Sequence, residues 1–290
     1  MFKQFKIGIV GQGFVGTATR KGLENYYEDI YTYDKYNSIN SNSIDLEDLC
    51  QKSEIIFICL PTPMTKEGEC FTGIVEDTIK KIDSFANSNS KKIAIIKSTI
   101  PPGTTQTINK ATKNIKVIFN PEFLTEANSI DDFKNQDRII LGGEEKEALE
   151  VVSTMYSQVF KKIPIIKTNS TTAEMVKYTT NTFLSTKVSF ANEIKIICDN
   201  IDIDYSNLIN IVTLDKRLGD SHWKVPGPDG KMGFGGSCFP KDLQALIYFA
   251  NKIQCNPLLL NAVWEKNLLV RPEKDWEKLK GRAVFDGTDV

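Results

Sequence analysis

The 290-residue sequence contains one histidine, His222, and no Cys-x-x-Cys pair among its six cysteines. With a single imidazole, a histidine-based triad or a zinc centre lacks its ligands, so no metal is expected. Acid–base chemistry must fall to Cys, Lys, Asp, Glu or water. The cysteines, at positions 50, 59, 70, 198, 238 and 255, are scattered, and a disulfide framework is not expected in a chain of this size. Neither charge dominates: Lys plus Arg number 36 and Asp plus Glu 37. No general field therefore draws the chain to nucleic acid or to an anionic membrane, and neither is expected as a partner. Any phosphate binding has to be local. No apolar run approaches the ~20 residues of a membrane helix. The start, Met1-Phe2-Lys3-Gln4-Phe5-Lys6-Ile7, has no secretion-signal pattern, so the expected compartment is the cytoplasm.

What is present is an ordinary globular balance, 41% hydrophobic and 25% charged, in a chain long enough for two domains. Short apolar runs at residues 6–10, 30–33, 55–60, 93–97, 117–119, 138–141 and 163–166 read as strands. Several are continuous in Ile and Val rather than alternating, as in strands covered on both faces. Segments between them, such as 75–85, have helical character, and 84–92 reads as a surface loop. The alternation predicts an α/β domain, a doubly wound parallel sheet over residues 1–168. From Thr171 the pattern turns helical: a long helix to about Cys198, then helices near 204–214, 239–251 and 257–269. An all-helical domain is expected over 169–270 and a tail over 271–290.

Gly11-Gln12-Gly13-Phe14-Val15-Gly16 follows the first strand and opens a helix. Glycines so placed permit a tight turn, a close backbone approach to a pyrophosphate and close helix–strand packing. The helix N-terminus faces the phosphates with free N–H groups. Asp34 ends the second strand, where a carboxylate suits the ribose diol of NAD and repels the extra phosphate of NADP. Lys35 beside it leaves an opening for NADP. The spacing points to a Rossmann-type NAD site. Leu60-Pro61-Thr62-Pro63 leaves the sheet at its carboxyl edge, where such folds bind ligands. Ser98 and Thr99, in the stretch KSTIPPGTT, place hydroxyls at the same edge; ordinary strand-to-helix capping explains them equally well.

The stretch GFGGSCFPKD places Cys238 where a helix begins, with Pro240 inside its first turn. The helix dipole and neighbouring Lys241 favour a thiolate there, and Asp242 lies one turn on. A buried structural cysteine is the plain alternative, and it is the expectation for the other five. Lys177 and Asn181, spaced i, i+4 with Glu174 on the same side, can donate to an oxyanion or simply form a solvated helix face. In NPEFLTEA, Glu122 and Glu126 are also i, i+4. They read as paired carboxylates that orient water, or as acids complementing a helix dipole.

Taken together and in order, GFGGSCFPKD, NPEFLTEA, KSTIPPGT and AEMVKYTTNT resemble the UDP-glucose/GDP-mannose dehydrogenase family over nearly all of residues 1–270. The resemblance implies NAD-dependent four-electron oxidation of the C6 hydroxyl of a nucleotide sugar, UDP-glucose to UDP-glucuronate being the expected case, for polysaccharide biosynthesis. It implies that Cys238 forms a thiohemiacetal and then a thioester. Lys177 and Asn181 would stabilise the oxyanions, and Asp242 would hold the catalytic water or assist proton transfer. Thr99 and Glu122 would position the hydrolytic water. Gly11, Gly13, Phe14, Val15, Gly16, Asp34, Lys35, Pro61, Thr62, Thr99 and Glu126 would meet NAD. Glu122, Phe123, Leu124, Lys177, Asn181, Gly235 and Cys238 would meet the sugar nucleotide, joined by Arg217 reaching across a homodimer built on the long helix. Family members usually carry a third, nucleotide-gripping domain. This sequence ends at Val290, residues 280–285 are expected to be either its stub or a short tail, and the loop 222–232 departs from the commoner pattern. Two other readings share the same architecture. One is a two-electron 3-hydroxyacid or 6-phosphogluconate-type dehydrogenase with Cys238 idle; the other is a non-catalytic nucleotide-sugar-binding paralogue.

Overall fold

The computed structural model describes residues 3–87 and 89–287. Residue 88 of the expected 84–92 surface loop and residues 288–290 of the expected tail lie outside the described residues. In chain order the elements are β1 (Ile7–Val10), α1 (Phe14–Leu23), β2 (Ile30–Tyr33), α2 (Leu46–Lys52), β3 (Ile55–Ile58), α3 (Gly73–Phe85), β4 (Ile93–Ile96), α4 (Thr104–Ala111), β5 (Lys116–Phe119), α5 (Ser129–Lys134), β6 (Ile139–Gly142), α6 (Lys146–Val159) and β7 (Ile165–Thr168). Four further helices follow: α7 (Ser170–Asn200), α8 (Tyr205–Val212), α9 (Phe239–Lys252) and α10 (Leu258–Val270). The chain divides into two compact units. One holds the chain to Thr62 with Thr72–Lys177; the other holds Pro63–Phe71 and the chain from Tyr178 onward.

All seven expected strands form one sheet in the order β2-β1-β3-β4-β5-β6-β7. Every residue of β1, β3, β4 and β6 is buried, which is why their sequences are unbroken runs of apolar residues. Alternate residues feed two cores. Ile7, Ile9, Phe57 and Ile95 face α1 and α6, whereas Val10, Ile56, Ile58 and Ile96 face α3. One expectation is corrected: the sheet is not wholly parallel, because β5 pairs antiparallel with β6 at Phe119↔Gly142. The chain between them makes no crossover. Its one helix, α5, packs on α1, where Gly22 leaves room for the Phe133 ring. The chain thus re-enters the sheet from the carboxyl end of β5, and β6 and β7 run against the other five strands. The strand order reverses beside β1, with β2 on one side and β3 on the other. That switch point is where an open α/β sheet leaves a crevice for a ligand.

The second unit is helical. Asp204 caps α8 by accepting from the Ser206 and Asn207 N–H groups. Met64 bridges to Cys70 and to Val284, and Met64, Trp276 and Ala283 share a small core. Residues 280–285 are thereby tied to residues 63–71 of the same unit. Among the described residues no helix is long and apolar enough to cross a membrane.

Candidate active site

In the first unit, the glycine loop has the geometry its sequence requires. Gly11 sits at φ +87°, and a Cβ there would fall 2.4 Å from the Cys59 carbonyl oxygen. A Cβ on Gly16 would fall 1.9 Å from the Gly11 oxygen, so α1 packs against the loop only because that position is glycine. Gly13 is the N-cap of α1, and a Cβ on it would have nothing within 4 Å, so the space at the helix N-terminus is open. Phe14 and Val15 supply the first turn. A pyrophosphate fits that cradle. Asp34 Oδ2 accepts the Gln12 N–H at 2.7 Å, while Oδ1 accepts those of Tyr36 and Asn37 at 2.9 and 3.0 Å. The carboxylate therefore ties the glycine loop to the end of β2, and one acceptor site remains for a ribose hydroxyl. The Lys35 ammonium lies over the Tyr36 ring, 5.2 Å from its centroid.

The ends of β3 and β4 are stitched together. Thr62 Oγ1 donates to the Thr99 carbonyl at 2.7 Å, and Ser98 Oγ accepts the Leu60 N–H at 3.1 Å. Pro61 is exposed, and Thr62 and Thr99 are buried.

At the end of β5 the structure separates the two expected carboxylates. Residues 121–128 are not helical, so Glu122 and Glu126 do not share a helix face; Glu122 is buried and Glu126 exposed. Pro121 and the bonds made by Glu122 keep the start of this segment out of a helix, and residues 126–128 turn. Lys177 Nζ donates to Glu122 Oε1 at 3.0 Å and to its carbonyl at 2.6 Å, and Glu122 Oε2 accepts the Leu124 N–H at 2.7 Å. Burial by itself would raise the Glu122 carboxyl, but the Lys177 ammonium, the Leu124 N–H and Lys97 outweigh it and hold it below the usual carboxylate range. Phe123 lies between cations, 5.5 Å from Lys177 Nζ and 4.5 Å from the Arg138 guanidinium. Glu174 does not join this group. It accepts the Gly103 and Thr105 N–H groups at 2.6 and 2.8 Å and so caps α4.

Lys97 belongs to this cluster and had no role assigned from sequence. It is buried, donates to Asn120 Oδ1 at 2.9 Å, and burial pushes its ammonium down to about 8. Tyr156 donates to the same oxygen at 2.7 Å. A signal for it exists: a lysine directly continuing the fully buried run Ile93-Ala94-Ile95-Ile96 cannot reach solvent as a surface lysine does.

In the second unit, Cys238 is the N-cap of α9, half-buried, with Pro240 in the first turn. The Ser237 hydroxyl lies 3.8 Å from its sulfur. Asp242 is fully buried; its Oδ2 accepts from Asn181 Nδ2 at 2.6 Å and its Oδ1 pairs with Lys241. Burial would lower the Lys241 ammonium, yet Asp242, Cys70 and Cys238 together raise it. The group offers a thiol at a positive helix end, with a carboxylate and a carboxamide one turn along. Gly235 lies in the loop before it. Arg217 stands apart from this group, 87% exposed and paired with Asp215.

The comparisons with known proteins agree with one another. Residues 21–160 match the NAD binding domain of the UDP-glucose/GDP-mannose dehydrogenase family, and residues 171–268 match its central domain. The first match begins after the Gly11–Gly16 loop, so that loop rests on its own geometry. UDP-glucose 6-dehydrogenase TuaD of Bacillus subtilis is 33% identical over 90% of this chain and 62% of its own. UDP-glucose 6-dehydrogenase AglM of Haloferax volcanii is 27% identical over 98% of this chain and 74% of its own. A solved UDP-glucose dehydrogenase from the archaeon Pyrobaculum islandicum superposes with a TM-score of 0.84 at 27% identity, covering 92% of this chain and 68% of that one. The chain spans only part of the curated relatives it matches, 62% of TuaD and between 33% and 74% of the others.

Proposed function

The chain belongs to the UDP-glucose/GDP-mannose dehydrogenase family, and on that premise we propose that it oxidises the C6 alcohol of a nucleotide sugar, UDP-glucose first among the candidates, to the carboxylate. Bound NAD supplies the hydride acceptor at each of the two oxidations. In the first, the alcohol loses a hydride and a proton and becomes an aldehyde. The Cys238 sulfur then adds to C6, giving a thiohemiacetal that cannot diffuse away between the oxidations. Loss of a second hydride from C6, together with the hydroxyl proton, leaves a thioester. Water cleaves it, releasing the carboxylate and returning the thiol. In this reading Lys177 and Asn181 steady the charged oxygen on C6, and Asp242 handles the proton. Glu122, ionised and held by Lys177, orients the water, with Thr99 beside it.

The placement of Cys238 carries the reading. It is the N-cap of a 14-residue helix, and the one buried carboxylate of the first turn, Asp242, is already held by Asn181. Arg217 is exposed on its own unit, which suits an arm that completes the substrate site of a second copy in a homodimer. A panel of UDP-glucose, GDP-mannose and N-acetylated UDP-sugars with NAD tests the proposal, scored as NADH formed per sugar consumed. Two per sugar with an acid product is expected. One per sugar, with Cys238→Ala at full rate, or no NADH from any member of the panel, would overturn it.

A further inference from the structure

The loop that delivers Cys238 to α9 has little to hold its own shape. Three of the four residues from Gly233 to Gly236 are glycine, and both ends take positive φ, +68° and +71°. Left alone, such a segment samples many conformations. Here each residue is fixed from outside. Asn192 Oδ1 accepts the Gly233 N–H at 3.0 Å. Asn267 accepts the Phe234 N–H at 2.8 Å and donates to its carbonyl at 2.9 Å. Asp275 Oδ2 accepts the Gly236 N–H at 3.3 Å.

Arg271 joins these contacts. Its side chain is 2% exposed. Nε donates to Asp275 Oδ1 at 2.6 Å, Nη2 pairs with Asp229, and Nη1 reaches the Met232 carbonyl at 3.3 Å. The guanidinium lies against Gly235, where a Cβ would fall 2.4 Å from Nη2. One buried cation thus ties the segment before the loop (Asp229, Met232) to the segment after α10 (Asp275). The other oxygen of Asp275 holds the residue two before Cys238. A planar guanidinium spreads five donors over three nitrogens and so reaches three separated partners; an ammonium gathers its three donors on one atom.

We propose that Arg271 is a positioning residue: through Asp275 it sets the Gly235–Gly236 backbone and so aims the Cys238 thiol at the start of α9. The inference rests on the reading of Cys238 as the nucleophile, but its test does not need the substrate. Arg271→Lys keeps the charge and loses the fork. Asp275→Ala removes the acceptor for Gly236 and leaves Arg271 its Asp229 partner. In the full chain, alkylation of Cys238 by iodoacetamide is followed across pH by peptide mass spectrometry, with exposed Cys255 as internal reference. Thermal melting and kcat and KM are measured on the same samples. The expected result is a folded protein whose Cys238 rate falls about tenfold relative to Cys255, with kcat falling and the KM for NAD unchanged. Unchanged Cys238 alkylation and kcat in folded variants would overturn the proposal. Unfolding of both variants would overturn it too, because Arg271 would then hold the unit together rather than aim the thiol. A protein that oxidises no nucleotide sugar yet shows the alkylation change would keep the clamp and refute the functional reading.

Discussion

Lys177 Nζ lies 3.0 Å from Glu122 Oε1, and the two side chains are only 3% and 7% exposed. A buried pair of this kind is costly to break from one side, since the remaining charge loses its counter-ion without gaining water. Lys177→Met should therefore lower stability by about 3–5 kcal/mol, and Lys177→Met with Glu122→Gln should recover most of it. Urea unfolding of the two singles and the double closes the cycle; additive losses would show that the pair is not coupled. The pair also has a pH signature. Glu122 is held below its usual range, so its contribution is present above the ordinary carboxylate pKa and is lost as pH falls through the folded value. Glu122→Gln should flatten that part of the acid-unfolding curve.

Asp34 accepts three backbone N–H groups, from Gln12, Tyr36 and Asn37. It ties the glycine loop to the end of β2, and in the proposed reading the same carboxylate would repel a 2′-phosphate. Asp34→Asn keeps the size of the side chain and removes the charge, at the cost of the acceptor on one side, since an amide nitrogen cannot take the N–H that Oδ1 or Oδ2 accepts. The preference for NAD over NADP should shrink about tenfold or more, the worth of a hydrogen bond to a charged group. Titration of both dinucleotides into wild type and variant measures it. An unchanged ratio would mean that Lys35 or another group sets the choice.

Much of this architecture was legible in the sequence, and for definite reasons. IGIV, IIFI and IAII are unbroken apolar runs, which only strands covered on both faces require, and the 31-residue α7 announced itself by its period. The direction of β6 was not legible. Burial pattern says which residues enter a sheet, not from which end the chain comes, and the reversal depends on α5 docking on α1. Glu122 and Glu126 misled because i, i+4 spacing has meaning only on a helix, and residues 121–128 are extended or turned. Spacing puts Glu174 on the same side of the helix as Lys177, yet its partner is the start of α4, some 70 residues earlier, a distance no local pattern spans. Arg271 likewise acts on residues 229–236 by tertiary contact alone.

Lys97 makes a separate, signed prediction. Burial lowers its ammonium from the ordinary value to about 8. Below that pH both the folded and unfolded chains carry the proton, and the folded state bears the full cost of a buried charge. Between about 8 and the unfolded pKa the unfolded chain holds one more proton, so this group favours folding increasingly as pH rises. The gain is on the order of 3 kcal/mol. Lys97→Met removes the titrating group. The stability of wild type relative to the variant, from urea unfolding, should therefore rise from pH 7 to pH 10 by that order. Parallel curves for the two proteins would mean that Lys97 keeps its ordinary pKa.

Phe183, Phe190 and Ile197 are spaced seven apart on α7 and are 66%, 52% and 49% exposed. A seven-residue repeat keeps such residues on one stripe, the pattern of a helix that meets another helix. Phe190 also leans on Trp223 of its own unit, with ring centroids 6.1 Å apart, so changing it would disturb the monomer. Among the described residues Phe183 makes no ring contact, and Ile197 has no ring to make one, so these two give the cleaner test. In a two-fold dimer each substitution counts twice. If each side chain gains about 1 kcal/mol from the burial still open to it, Phe183→Glu with Ile197→Glu removes about 4 kcal/mol, roughly a thousandfold in dissociation constant. Sedimentation equilibrium over a concentration series reads this directly, with circular dichroism checking that the helices persist. A wild-type chain that stays monomeric at every concentration, or a variant that dimerises as tightly, would remove α7 as the interface, and with it the route proposed for Arg217 to a neighbour's substrate.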